Sequence, residues 1–171
     1  RLMQDPVHPT TSQPTPADFA RAIERTGAGK VVVITISRAL SGAYESARSA
    51  AAEMDLPVHV VDSFSLSMGL GWQVLAAARE REKGGGIQQI KAEVHRIRDR
   101  LSLLLTVDTL EYLRRGGRIG GAAALLGSVI QLKPLLAINH TTGTLEAVER
   151  IRTRKKALGR LVEETFRRVD P

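Results

Sequence analysis

The stretch 31-VVVITISRALSGAYESARSAAAEM-54 decides how the chain is read. Residues 31–36 form an unbroken β-branched run. Such a run suits a strand of a parallel sheet covered on both faces, not the alternating pattern of a half-exposed strand. The run breaks at Ser37, turns through Ser41 and Gly42, and becomes alanine-rich, which predicts a helix from about Ser41 to Met54 with Leu56 and Pro57 as its stop. A strand-to-helix corner of this kind leaves unpaired N–H groups at the carboxyl edge of the sheet, where ligands of such sheets bind. An anion is the natural guest, with Ser41 donating its hydroxyl and Gly42 allowing close approach to the backbone. The same residues would equally serve a plain helix cap, and the local chemistry leaves both readings open. Two others fail: the string L-S-G-A is not a G-x-S-x-G nucleophile elbow, and a single glycine cannot make the G-x-G-x-x-G dinucleotide fingerprint.

Upstream, 15-TPADFARAIERTG-27 carries a helix start and stop: Thr15 to cap, Pro16 at the first position, Asp18 to reach back and Gly27 to end it. The polar cluster Thr10, Thr11, Ser12 and Gln13 leads into this helix and should open at the same end of the sheet as Ser41. Turn chemistry alone would also produce such a cluster. Downstream, PVHVVDS reads as a second buried strand and SLSMGLGWQVLAAAREREK as a turn and a helix. Helix, strand, helix, strand, helix implies right-handed crossovers and a parallel sheet.

The glycines at 84–86 are the clearest linker, and they divide the chain into a parallel α/β domain over 1–86 and a second, mixed α/β domain over 87–171. After them Ile87, Ile90, Val94, Ile97 and Leu101 trace an amphipathic helix. LSLLLTVD is a buried strand, TLEYLRRGG a short helix and GAAALLGSVI a small-residue helix. QLKPLLAIN, the turn HTTG and TLEAVERI form an antiparallel hairpin, closed by the basic amphipathic helix TRKKALGRLVEETFRR. The fold class is therefore α/β in both parts. The chain opens on Arg, and RLMQDPVHPT reads like the middle of a protein.

Composition narrows the chemistry. The absence of cysteine excludes disulfides, thiolate metal sites and cysteine nucleophiles, and suits a reducing cytoplasm. The four histidines (His8, His59, His95, His140) have no metal-ligand spacing, so no metal is expected. A net charge of +7 favours an anionic partner. Much of that excess lies between Arg150 and Arg168, with eight basic residues against two acidic ones. With only 4% aromatic residues the stacking platforms of single-strand nucleic-acid binders are missing. No apolar run is long enough to span a membrane.

Two further clusters could bear on a ligand. In 60-VVDSFSLSMGLG-71, Asp62 at a strand end could bind a cation, orient a hydroxyl or cap the next turn; with no second carboxylate nearby, a structural role is favoured. Ser63, Ser65 and Ser67 add hydroxyls, and Met68, Leu70 and Trp72 add apolar walls, a combination that suits an amphiphile. In 109-TLEYLRRGGRIGG-121, Arg114, Arg115 and Arg118 could hold a phosphate or carboxylate bidentately, or serve the helix C-terminus.

Taken in order, TTSQPTP, ISRALSGAYESA, VVDSFSLSMGLG, TLEYLRRGGRIGG and LLGSVIQLKPLLAINHTTGTLEAVERIRTRKKAL resemble the DegV family of fatty-acid-binding proteins over nearly the whole chain. The resemblance implies two α/β domains that enclose a long-chain fatty acid and present it to a fatty acid kinase for acyl-phosphate formation in phospholipid metabolism. Such a protein is a cytoplasmic carrier without a cofactor, not a catalyst. By motif position Thr11, Ser41 and Gly42 would hold the carboxylate, and Arg118 would serve the phosphate or kinase-docking side. Family members begin earlier, with a strand carrying an Asp-Ser pair, and continue beyond Pro171 to a histidine near the head group; the resemblance therefore implies that the ligand lies between the two domains, that the first lacks its N-terminal strand and that the second is incomplete at its C-terminus. Ala43 stands where many members carry Thr. The competing readings are a nucleic-acid-binding module built on the basic C-terminal helix, and a serine-dependent enzyme using Ser41, for which His59 is the only histidine close in sequence.

Overall fold

The computed structural model describes residues 10–126 and 132–169. The first unit begins with α1 (Pro16–Glu24), β1 (Val31–Thr35), α2 (Ala43–Ala52), β2 (Val58–Asp62) and α3 (Ser67–Glu82). α1 starts on the expected capping box: the Asp18 amide donates to Thr15 Oγ1 at 3.2 Å while the Thr15 amide donates to Asp18 Oδ2 at 2.8 Å. Gly27, at φ +60°, lies just past its end, where only a residue without Cβ turns the chain at no steric cost.

β1 and β2 pair in parallel, with Ile34 opposite Val61 and Thr35 opposite Asp62. α2 makes the crossover and packs on one face together with α1. α3 and α4 (Ile87–Arg100) cover the other: Val61, Ala77, Ile90 and Val94 form one core cluster, against which Val32 and Ile34 pack. The apolar spacing of α4 thus does what its periodicity predicted, but its buried face belongs to the first sheet. The glycines 84–86, expected to separate two domains, form a turn that lays α4 back on α3. β1 has one unpaired edge in the described residues. A cavity of about 570 Å³ lies beside it, lined by Val32, Ile34, Val74, Ala77 and Ile90 among others, and Val31–Ile34 are accordingly half-buried instead of fully covered.

The second sheet is antiparallel in the order β3 (Leu104–Thr106), β4 (Leu135–Ile138), β5 (Leu145–Glu149). Every residue of β4 is buried because both faces are covered. Leu135 points to a cluster with Ile151 and Ala157 beneath α6 (Arg154–Val169). Leu136 points to the opposite cluster with Leu110, Ala122 and Leu125. The short helix expected around TLEYLRRGG is α5 (Glu111–Arg115). The small-residue helix expected over 121–130 is instead a three-ten turn over Gly120–Leu125, and 127–131 lie outside the described residues. Gly120 sits at φ +51°, and a Cβ there would come within 2.7 Å of the Leu145 carbonyl. The close approach of this turn to β5 accordingly demands glycine.

α6 is less free a cationic surface than its composition implies. Arg154 bonds Asp108, Arg160 bonds Glu149 and Glu163, and Arg167 and Arg168 both bond Glu164, whose side chain is only 5% exposed. The hydrogen bonds from Arg167 and then Arg168 hold the Glu164 carboxyl down to about 2. Because the folded value lies below the unfolded one, the stabilisation is complete above the ordinary glutamate range and is lost as pH falls from there toward about 2. Thermal melts of Glu164→Gln should therefore fall below wild type at neutral pH and converge with it in acid. A difference that stays constant down to pH 2 would exclude this ion-pair cluster as its source.

Candidate functional site

The site is built on the parallel sheet's carboxyl edge, where β1 and β2 deliver two loops to the same side. The first loop runs from Ser37 to Gly42. The Leu40 and Ser41 amides both donate to the Ser37 carbonyl, at 3.0 and 3.1 Å, which curls the loop tightly. Ser37 is fully buried. Its hydroxyl accepts the Ala39 amide at 3.2 Å and donates to the Gly143 carbonyl at 2.8 Å, in the turn between β4 and β5. Ser37 is thus a latch between the two units.

Ser41 is not the N-cap in the strict sense; Gly42 occupies that position. The Ser41 hydroxyl nevertheless accepts the Ala43 amide at 3.2 Å. Among the described residues no acceptor meets the amides of Gly42, Tyr44 or Glu45. Three N–H groups at a helix start, with a hydroxyl beside them, make a cluster of hydrogen-bond donors. The loop over 10–15 reaches this corner: a Cβ at Gly42 would stand 2.8 Å from Gln13 Nε2, so Gln13 lies directly over the Gly42 backbone. Thr11, two residues earlier, is exposed.

From the second unit comes Arg118. α5 ends on paired glycines: Gly117, at φ +72°, donates to the Arg114 carbonyl at 3.0 Å, and the Arg118 amide donates to the Leu113 carbonyl at 2.9 Å. This double C-terminal closure throws the Arg118 side chain outward. Its Nε donates to the Leu40 carbonyl at 3.0 Å and its Nη1 to the Gly116 carbonyl. Arg118 is therefore one residue from Ser41 in space, although 77 positions separate them in the chain. Arg114 is exposed, and Arg115 pairs with Glu111 on its own helix.

The second loop, after β2, is held from inside. Gln73, fully buried on α3, donates through Nε2 to the carbonyls of Ser63 (3.1 Å) and Gly69 (3.0 Å). Ser37 donates its amide to the Ser65 carbonyl at 2.9 Å, tying the loops together. His140 enters the seam from the second unit. Burial holds its imidazole below the ordinary histidine range, although the Phe64 backbone acts in the raising direction. His59 pairs with Val32 in the middle of β2, away from the edge that carries Ser41, and cannot serve Ser41 as a base. No group of three His, Cys, Asp or Glu able to hold a metal occurs among the described residues, and no described helix is long and apolar enough to cross a membrane.

Gln13, Ser37 and Gln73 carry no local sign of these roles in the sequence. Each acts through a partner that only the fold supplies; the one legible hint was that Gln13 stands in a polar cluster ahead of a capped helix.

Hydroxyls, free helix amides and an arginine thus meet at one edge of the parallel sheet of a mixed α/β protein, a set of hydrogen-bond donors whose chemistry suits an anion. The chain belongs to the DegV family, whose model, described as an uncharacterised protein family, matches residues 1–170. A DegV domain-containing protein of Deinococcus radiodurans is 45% identical over 163 residues, covering 94% of this chain and 57% of its own length. Among solved structures, a DegV family protein of Thermus thermophilus described as binding fatty acid is 40% identical with a TM-score of 0.86, and the match covers 96% of this chain and 59% of that one. A stearic-acid-binding protein of Eubacterium ventriosum is 27% identical with a TM-score of 0.83, covering 99% and 60%. The chain thus spans somewhat more than half the length of the relatives it matches.

The seam makes a direct prediction. Gly143 lies at φ +72°, and a Cβ there would fall 2.1 Å from Ser37 Oγ. Gly143→Ala should cost roughly 1–2 kcal/mol in backbone strain and about 0.5–1.5 kcal/mol more if the Ser37 bond is displaced. Denaturant unfolding of Gly143→Ala, Ser37→Gly and the double variant checks it. The double variant should be more stable than the two single losses added, because the clash is then gone. Strict additivity would mean that the two residues do not meet.

Proposed function

We propose that this chain forms the head-group corner and part of the enclosure of a long-chain fatty acid carrier. The single observation that carries the reading is the set of unpaired amides at Gly42, Tyr44 and Glu45 beside the Ser41 hydroxyl, at the carboxyl edge of a parallel sheet. A carboxylate offers only acceptors, and the three free amides offer only donors, with the Ser41 hydroxyl able to donate beside them. Ser41 and Gly42 would bind the carboxylate, with Thr11 closing over it from the loop that Gln13 seats on Gly42. Support comes from the fatty acid binding described for the Thermus thermophilus and Eubacterium ventriosum relatives.

The tail supplies the larger share of the affinity. Each methylene removed from water contributes about 0.8 kcal/mol, so a long chain outweighs one polar head. Apolar surface is available at the same sheet end, where α3 begins: Met68 and Trp72 are about half exposed.

Arg118 would serve a later step. Its Nε bonds the Leu40 carbonyl beside the head-group corner; from there it would meet the phosphoryl group as a fatty acid kinase converts the carboxylate to an acyl phosphate, or would dock that kinase. In this scheme the chain presents the substrate and the kinase does the chemistry, with no cofactor held by the carrier. The division of labour follows the chain, with the head-group loops in the 1–86 part and Arg118 in the 87–171 part. A nucleic-acid role for α6 is disfavoured because most of its arginines are already committed to carboxylates.

Delipidated protein should take up palmitate and bind octanoate orders of magnitude more weakly, since each lost methylene removes about 0.8 kcal/mol. Ser41→Ala combined with Thr11→Ala should weaken palmitate binding with little change in melting temperature. Calorimetry or displacement of a fluorescent fatty acid reads both, and equal affinity for the two chain lengths would sink the proposal.

A further inference from the structure

Asp62 ends β2 and, among the described residues, is the one buried carboxylate at this edge of the sheet; its side chain is only 5% exposed. It faces no second carboxylate, and both of its oxygens are used. Oδ1 accepts the Phe64 amide at 2.8 Å, in the loop after β2. Oδ2 receives the Arg38 amide at 3.4 Å and the Arg38 guanidinium, also at 3.4 Å, in the loop after β1. One carboxylate therefore spans the exit loops of two neighbouring strands.

What it holds is conformationally costly. Phe64 sits at φ +48°, the left-handed region that a bulky residue avoids. The Asp62 bond to its amide fixes that turn. The Phe64 ring is then flanked by two guanidinium groups, Arg38 at 5.5 Å and Arg98 at 5.1 Å from its centroid. Arg38 also lies 5.8 Å from the ring of Tyr44, in the first turn of α2. The chain of contacts runs from Asp62 through Arg38 to Tyr44, whose amide is one of the three free donors. It brackets Ser41 on both sides in sequence.

We propose that Asp62 is the positioning residue of the head-group corner: through Arg38 it sets the pitch of the 37–42 loop against the start of α2, and with it the spacing of the Ser41 hydroxyl from the Gly42 and Tyr44 amides. The inference rests on the fatty-acid reading and adds to it the group that fixes the geometry of its donors. A carboxylate head needs that spacing. An alcohol head of the same chain length, bound mainly by its tail, does not.

Asp62→Asn keeps the size of the side chain and removes the charge that Arg38 answers. Its affinity for palmitate should fall about tenfold, the scale of one hydrogen bond to a charged group, while its affinity for hexadecanol stays at the wild-type level. In a Ser41→Ala background the same change should cost little more, since both act on one contact. A loss shared equally by palmitate and hexadecanol, or no loss for either, overturns the positioning role. Should Asp62→Asn fail to fold, Arg38→Met removes the same ion pair from its more exposed side and is read by the same comparison. Wild-type protein that takes up neither ligand overturns the fatty-acid reading instead. Amide hydrogen exchange at Arg38, Ser41 and Phe64 then still decides the present inference: faster exchange in Asp62→Asn supports it and unchanged exchange defeats it.

Discussion

The site depends on how the loop over 37–42 is gripped. It leaves the end of β1 and is bonded from the other half of the molecule at both its ends, by the Gly143 carbonyl at Ser37 and by Arg118 at the Leu40 carbonyl. Neither contact is strong alone; a neutral hydrogen bond contributes on the order of 1 kcal/mol. Their effect is geometric, since a buried hydroxyl without its partner would cost more than the bond supplies. Ser37, with no exposed surface, has no water to turn to. The antiparallel unit is thereby fixed against the parallel one at the place where the helix amides are free, and any ligand held there sits at a seam between two units.

Local physics made the frame readable. The Thr15 and Asp18 capping box, the β-branched run at 31–35, the hairpin around 139–144 and the basic closing helix are each decided by residues a few positions apart. What could not be read was decided by residues far apart. α4 shows a clean amphipathic spacing, yet nothing in that spacing says which sheet it covers; Ile90 and Val94 chose Val61 because the glycine turn after α3 folds them back. The small-residue run after Arg118 has ordinary helical propensity but packs so closely on β5 that it tightens to a three-ten turn. Half-burial of β1 likewise follows from an unpaired edge, which a hydrophobic pattern does not encode.

The candidate site divides along the same line. Ser41 and Gly42 announce themselves because a strand-to-helix corner is a local event. Arg118 is legible as an arginine beyond a glycine cap, but its meeting with the Leu40 carbonyl is a fact of the tertiary fold. Asp62 is the instructive case, since the sequence favours a structural role for a lone carboxylate at a strand end. The structure gives it one with consequences at a distance, because the loops it joins are those that carry the donors. Net charge was the least informative feature: of the eight basic residues between Arg150 and Arg168 that suggested an anionic partner, four are engaged in internal ion pairs.

Capping and ligand binding by Ser41 need not compete. A hydroxyl carries one donor and two acceptor positions. The Ala43 amide at 3.2 Å takes one acceptor position and leaves the hydroxyl hydrogen free to turn toward a ligand. That bond also restricts where the hydrogen can point, because the oxygen is pinned at the head of α2. A carboxylate arriving at the corner would then meet a donor already aimed, beside amides already held at the head of α2. Less ordering is lost on binding to such a pre-set group than to a free serine. In the proposed carrier the cap would thus be what makes the corner selective for an acceptor-only head.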